Sequence, residues 1–149
     1  MSASPDPEKA PASLAWYVRL LLVVAGTGLL ALLAMAVYLS PSKRGYGTHQ
    51  QLGLPPCSFQ QLFGVRCPSC GMTTAWSNTV RGRLIPAVRA NSAGTVLCLA
   101  ALVCMPVMLA SGIRGRWVVR PPSERMLALA ATFFVVITLV DWAIRLWWC

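Results

Sequence analysis

The stretch that decides the fold is Cys57–Asn91, CSFQQLFGVRCPSCGMTTAWSNTVRGRLIPAVRAN, which lies between long apolar runs. It holds three of the six cysteines, Cys57 and the pair Cys67 and Cys70, with Gly71 directly behind the pair. The runs on either side are long enough for membrane helices. We therefore expect the rest of the chain to hold a thiol-bearing turn at a bilayer surface.

The composition of the chain is that of a membrane protein. Of its 149 residues, 56% are hydrophobic and only 11% are charged. A soluble domain of this size has too little interior to hide so much apolar surface. The formal net charge is +9, but the cations flank apolar runs and form no stripe with interleaved aromatics, so no nucleic-acid partner is expected. The expected partner of these cations is the lipid bilayer, through its anionic head groups.

Three apolar runs have the length of a membrane span, which is about 20 residues. They cover approximately residues 16–39, 93–111 and 126–148, and Pro106 should bend the second. The first run also ends in a small-x-small pattern typical of signal-peptide cleavage, but it is longer than the apolar core of a signal peptide. The sequence predicts an all-α integral membrane protein: a disordered tail at 1–15, then a single membrane domain at 16–149.

The long connection, residues 40–92, is predicted to carry the cysteine knuckle and short interfacial helices. Its first part is punctuated by Pro and Gly and should be irregular. Apolar residues recur at helical spacing from Met72 to Val80, which predicts an amphipathic helix after the cysteine pair. A second short helix is expected to turn its large apolar residues inward. These are Leu84, Ile85 and Val88.

Three spans place the amino-terminal tail and a basic hairpin at 112–125 on one side of the membrane. The cysteine loop and the carboxyl end then lie on the other side. Lys and Arg are numerous on both sides, so the positive-inside rule gives no clear orientation. The denser cations of the hairpin favour a cysteine loop that faces outside.

The cysteines point first to zinc or another thiophilic metal. Two cysteines separated by two residues reach one tetrahedral ion because the chain turns back between them, and the flanking Pro and Gly suit such a turn. Cys57 supplies a third ligand. His49, the only histidine of the sequence, supplies a fourth. The predicted metal site is therefore Cys57, Cys67, Cys70 and His49. The alternative is an open fourth position that holds water or substrate.

Two other interpretations of the cysteines stay open. A CxxC pair followed by a helix favours a thiolate at its first cysteine, so Cys67 would attack a disulfide and Cys70 would resolve the intermediate. The protein would then be a membrane thiol–disulfide oxidoreductase. In the third interpretation the cysteines only staple a loop that has little core of its own. The sequence favours a non-enzymatic role, with a metal-bound or stapled knuckle, in a subunit or assembly factor of a membrane complex.

Two ionisable residues lie in the third span. Asp141 and Arg145 are four residues apart with the acid first, which is the favourable order for a helical ion pair. Charges inside a span often mark function. Because these two lie near the tryptophans at the end of the span, they are predicted to form a structural pair.

The cysteine stretch resembles a bacterial membrane-protein family known as domain of unknown function 2752. The pattern of that family is a Cys, a short run ending in Gly, CPxCGxT, a helix, and an Asn that opens a span. The matching residues are Cys57, Gly64, Cys67, Pro68, Cys70, Gly71, Thr73, Gly82, Ala87 and Asn91. Thr74 stands where the family usually has Arg, and Arg83 where it usually has Asp. The resemblance implies a small multi-pass protein of the bacterial inner membrane and no particular activity.

Overall fold

The computed structural model describes residues 13–147, and within that part of the chain every regular element is helical. The elements are α1 (Trp16–Tyr38), a 3₁₀ turn (Thr48–Leu52), α2 (Ser58–Phe63), α3 (Met72–Thr79), α4 (Leu84–Ala90), α5 (Ser92–Arg114) and α6 (Glu124–Trp147). Helices α1, α5 and α6 are each long and apolar enough to cross a membrane. The predicted fold class is thus confirmed. Residues 1–12 of the predicted tail and residues 148–149, which include the end of the predicted third span, lie outside the described residues.

Helices α1 and α5 run antiparallel and form the centre of the fold. Glycines allow the two helices to approach closely. An added Cβ would lie 2.8 Å from Leu109 at Gly26 and 2.8 Å from Val23 at Gly112. Small residues at such crossings allow extensive van der Waals packing, the main attraction between helices in lipid. Pro106 lies inside α5, and the helix continues beyond it.

The short helices α3 and α4 form a hairpin that packs against α1 and α5. The helix predicted after the cysteine pair is present as α3, but it is buried on nearly all sides from Thr74 to Thr79. Its Trp76 belongs to one cluster with Leu33 of α1 and Cys98 of α5. An amphipathic pattern implies only one buried face. Here the helix lies between protein neighbours.

Helix α4 corrects a detail of the sequence-based prediction. Its buried residues are Ala87 and Ala90. The prediction that the larger apolar side chains face inward is wrong: Leu84, Ile85 and Val88 are 48%, 70% and 48% exposed. The helix approaches α3 and α5 through its small residues, and this close contact leaves the large side chains on the outer face.

An arginine caps the end of α1. Arg81 Nη1 donates to the carbonyl of Ala36 at 3.0 Å, and Nη2 donates to that of Val37 at 2.6 Å. Ser77 Oγ donates to the carbonyl of Leu39, the residue that follows the helix. The last carbonyls of a helix lack intrahelical partners and carry the negative end of the helix dipole, so a cation there is stabilising. The hairpin is thereby fixed to α1.

A second arginine caps α5 in the same way. Arg19 Nε donates to the carbonyl of Gly112 at 3.2 Å, and Nη2 donates to that of Ile113 at 3.3 Å. Arg19 is the one charged residue of the first apolar run. Its position near the start of that run is explained by the end of α5, which it caps.

Replacing Arg81 with alanine should lower the thermal stability of the detergent-solubilised protein, because its two capping bonds to α1 are lost together. A loss of about 2 kcal/mol is expected for charge-assisted bonds at a partly exposed site. Arg89→Ala is the matched control, since Arg89 is an exposed arginine of α4 and takes no part in the capping of α1. Equal melting temperatures for the two variants would contradict the capping role.

Candidate metal centre

Three cysteines meet at one point of the loop. The Sγ atoms of Cys57, Cys67 and Cys70 all lie within 4.8 Å of one another, and all three are free thiols. In a tetrahedral zinc site with Zn–S bonds of about 2.3 Å, the sulfurs are about 3.8 Å apart. A small contraction of the cluster would therefore accommodate an ion.

Two turns of the chain bring these thiols together. Cys57 is the N-cap of α2, a helix that the sequence does not predict, and α2 ends at Gly64 with a positive φ of 71°. The chain then returns to Cys67, and the N–H of Cys70 donates to the carbonyl of Cys67 at 3.0 Å. Helix α2 thus acts as the spacer that brings the first cysteine back to the pair.

Gly71 closes the knuckle and has no room for a side chain. Its φ is +88°, which L residues rarely adopt. An added Cβ would clash with the carbonyl oxygen of Ala90 and lie 2.7 Å from that of Gly45. Both neighbours are backbone, so neither can move aside cheaply. Gly71 is therefore required by the close approach of three chain segments behind Cys70.

Two side chains, one from the N-cap of α5 and one from α6, hold the backbone of the knuckle. Asn91 Nδ2 donates to the carbonyls of Pro68 at 3.1 Å and Cys70 at 3.2 Å. Arg145 donates to the same two carbonyls, from Nη2 to Pro68 at 3.0 Å and from Nη1 to Cys70 at 2.8 Å. The fully buried Asn91 also accepts from the N–H of Gly94 and so caps α5. The knuckle is thereby fixed between the start of α5 and the end of α6.

The carboxyl end of α6 is attached to the cysteine loop. Arg145 pairs with Asp141 at 2.5 Å, as the sequence predicts, and Asp141 Oδ2 has no other polar partner within residues 13–147. Trp142 Nε1 donates to the carbonyl of Arg66 at 2.7 Å, and its ring meets Phe59 edge-on. The described part of α6 has no buried residue. These polar contacts are therefore the main attachment of its carboxyl end.

The sequence does not predict the contact between Arg145 and the knuckle. The four-residue spacing indicates the pair with Asp141, but the carbonyls of Pro68 and Cys70 lie more than 70 residues away along the chain. Asn91 has a weak signal, because an Asn that opens a span belongs to the family pattern. Nothing in the pattern indicates which backbone groups it binds.

His49 lies near the cysteines but outside their immediate cluster. It belongs to the 3₁₀ turn, which is held by a 2.7 Å hydrogen bond between the buried hydroxyls of Thr48 and Thr74. Its Nε2 lies 3.3 Å from the carbonyl oxygen of Pro55. His49 and the three cysteines line one cavity of about 210 Å³, but only the cysteine sulfurs lie within 4.8 Å of one another.

The three thiols differ in acidity. Burial raises the pKa of Cys70 to about 11, and it also raises the pKa of Cys67. The backbone N–H of Gln60, in the first turn of α2, lowers the pKa of Cys57. Cys57 is therefore the most acidic of the three, and the environment of Cys67 does not favour the thiolate that an attacking cysteine requires.

Comparison with known proteins adds one relationship. No curated protein and no solved structure matches the chain. The family model described as "Protein of unknown function (DUF2752)" matches residues 57–105, a segment that begins at the first cysteine of the cluster and ends inside α5. This match confirms DUF2752 as the family that the cysteine stretch resembles.

Proposed function

We propose that this is a small multi-pass membrane protein in which Cys57, Cys67 and Cys70 hold a thiophilic metal ion, with zinc as the best match. One observation carries the proposal: two separate loops bring three sulfur ligands within 4.8 Å of one another. A single disulfide uses only two of the three, whereas three cysteines with one histidine are a common donor set in structural zinc sites. The proposed role is non-enzymatic, within a subunit or assembly factor of a complex in the bacterial inner membrane.

His49 is the proposed fourth ligand. It lines the same cavity as the thiols, and its Nε2 faces the carbonyl of Pro55. If Nε2 carries the hydrogen, Nδ1 is free to bind the ion. Metal-binding histidines usually donate their other N–H to a carbonyl or carboxylate in this way. The ring must move toward the sulfurs on binding. Water at the fourth position is the competing outcome of the test below.

Metal analysis of the purified protein tests the site. The wild-type protein should contain about one zinc per chain, and a variant with Cys67→Ser and Cys70→Ser should lose it. Cys104→Ser is the control, because Cys104 is an exposed thiol of α5. His49→Ala should weaken zinc binding at least tenfold if His49 is a ligand, and unchanged affinity would assign the fourth position to water. Wild-type protein that neither contains nor takes up zinc would refute the proposal.

The pH dependence of stability should reverse when metal binds. In the metal-free protein, the pKa of Cys70 rises from 9.0 to about 11 on folding. The stabilisation by its protonated thiol is therefore present below pH 9 and lost as pH rises toward 11. The pKa of Cys67 is also raised on folding, whereas the pKa of Cys57 is lowered. The zinc-bound protein should instead lose stability on acidification, because protons compete with the ion for the thiolates.

Melting curves in detergent between pH 5 and pH 11 check this prediction, with one sample treated with zinc and the other with a chelator. The zinc-treated sample should lose thermal stability toward pH 5, and the chelator-treated sample should lose it toward pH 11. Coincident curves across the whole range would show that no metal is held by these thiols.

One observation favours a second candidate, a membrane thiol–disulfide oxidoreductase. A thiol of lowered pKa, Cys57, lies beside two further free thiols. In this function Cys57, rather than Cys67 as the CxxC motif suggests, is the attacking sulfur. Metal-free protein in which a disulfide forms and is reversibly reduced among the three cysteines would support this candidate over the metal site.

A further inference from the structure

A small cavity of about 180 Å³ lies at the carboxyl end of α6. The residues that line it differ from those that line the cysteine cavity. A water molecule takes up about 30 Å³ in the liquid, so the cavity has room for a group of several heavy atoms. It is smaller than the roughly 300–1,000 Å³ of most small-molecule sites. Its size therefore suits a small ion or a head group rather than a whole nucleotide or cofactor.

The polar side chains that line this cavity can all donate hydrogen bonds. Arg66 and Arg145 are cations, and Tyr46 and Gln60 add a hydroxyl and an amide. The four residues belong to three separate segments: the turn before Thr48, the stretch from α2 to the knuckle, and the end of α6. Donors that converge from several segments onto one small space favour an anion as the ligand.

The two carboxylates of residues 13–147 leave Arg66 uncompensated. They are Glu124 and Asp141. Asp141 pairs with Arg145. Glu124 is the first residue of α6 and lies about 30 Å from Arg145 along the helix. The cavity therefore keeps a net positive charge after the ion pair of α6 is taken into account.

Arg66 is oriented before any ligand arrives. Its carbonyl accepts from Trp142 Nε1 at 2.7 Å, and its guanidinium carbon lies over the ring of Tyr46, 4.4 Å from the centroid. Contact with an aromatic ring holds a guanidinium without using its N–H groups as donors to oxygen. The fork of Arg66 thus remains able to bind an oxyanion in a bidentate way, with little further loss of side-chain freedom.

Arg145 contributes mainly its charge. Its contacts with Pro68, Cys70 and Asp141 use four of its five N–H groups. One N–H on Nη1 is left for a ligand. A ligand in this cavity would therefore add to the contacts by which Arg145 holds the knuckle and would not replace them.

We propose that this cavity binds a phosphate group, carried by a phospholipid head group or by inorganic phosphate. Arg66 makes the bidentate contact, and Arg145, Tyr46 and Gln60 surround the other oxygens. A tetrahedral group suits donors from three segments, whereas a carboxylate offers only two oxygens in one plane. The tryptophan at this end of α6 is typical of the bilayer interface, where both sources of phosphate are present. This inference goes beyond the metal site, and it does not require the thiols to hold an ion.

Two phosphate probes test the proposal on the full-length protein in maltoside micelles. One is inorganic phosphate, and the other is phosphatidylglycerol mixed into the micelles. Sodium acetate at equal ionic strength and diacylglycerol with the same acyl chains are the matched probes that lack phosphate. We expect a phosphate probe to raise the melting temperature by about 3 °C, because it binds only the folded protein. The matched probe should leave the melting temperature unchanged.

The two arms of this experiment identify the source of the phosphate. A shift with inorganic phosphate assigns the site to the free ion, and a shift with phosphatidylglycerol alone assigns it to the lipid head group. The absence of a shift with both phosphate probes would overturn the proposal. An equal shift with the matched probe that lacks phosphate would overturn it as well.

Variants of Arg66 show whether the shift reports this cavity. Arg66→Gln should weaken binding of the effective probe about tenfold, because a charge-assisted bidentate contact is lost. Arg83→Gln removes the same charge from an exposed position of the same loop that does not line the cavity, and it should have no effect. Equal weakening by the two substitutions would indicate a general attraction between charges and refute the site.

Arg66→Lys keeps the charge and the length of the side chain but lacks the planar fork, so its affinity should lie between those of the wild type and Arg66→Gln. Wild-type affinity in Arg66→Lys would refute the bidentate contact. Zinc content is measured on the same samples. Loss of zinc with a retained phosphate shift counts against the metal site alone, whereas retained zinc without a phosphate shift counts against the phosphate site alone.

Discussion

Replacement of Gly71 by alanine is expected to abolish zinc binding and to destabilise the protein by more than 3 kcal/mol. A positive φ alone costs an L residue about 1–2 kcal/mol. The new Cβ would in addition clash with the carbonyl of Ala90 and lie 2.7 Å from that of Gly45. Because both obstacles are backbone atoms, relief requires that the knuckle move away from the start of α5.

Gly64→Ala is the control that separates strain from collision. Gly64 also has a positive φ, of 71°, but a Cβ there meets nothing within 4 Å. This variant should be destabilised only by the strained backbone at residue 64, and it should keep its zinc. Melting temperature and zinc content of the two variants give the comparison, and an equal loss in both would show that the space behind Cys70 is not what makes Gly71 necessary.

The second large effect is expected for Arg145→Ala, which should reduce zinc affinity at least tenfold and lower stability by about 3 kcal/mol. The substitution removes the donors to the carbonyls of Pro68 and Cys70. It also leaves the carboxylate of Asp141 without its only polar partner in the described part of the chain. A partly buried charge that loses its partner is costly.

A double variant divides this effect into its two causes. Asp141→Asn combined with Arg145→Ala removes the stranded charge but leaves the knuckle held by Asn91 alone. Its stability should recover in part, while its zinc affinity stays low. Arg83→Ala is the control, since Arg83 is an exposed cation of the same loop. If zinc affinity recovers together with stability, Arg145 has no role in positioning the knuckle.

The sequence predicted those features that depend on local composition. The spans follow from the length of three apolar runs, and the ends of α1, α5 and α6 lie within about one turn of the predicted limits. The closeness of Cys57 to Cys67 and Cys70 in space follows from the knuckle pattern. The ion pair of Asp141 with Arg145 follows from helical spacing.

Features that depend on tertiary contacts were not predictable in this way. Helix α4 turns Ala87 inward and Ile85 outward because its neighbours lie close, whereas hydrophobicity alone predicts the reverse. The role of Arg145 at the knuckle depends on a contact between residues far apart along the chain. The place of His49 at the wall of the cysteine cavity depends on the turn held by Thr48.

The double clamp on the knuckle has a consequence for metal loading. Many small zinc modules are unfolded until the ion arrives, so their binding free energy is spent on folding. In this protein, Asn91 and Arg145 hold the backbone through bonds that need no ion. The proposed site is therefore preorganised, so loading and removal of an ion should leave the helices assembled.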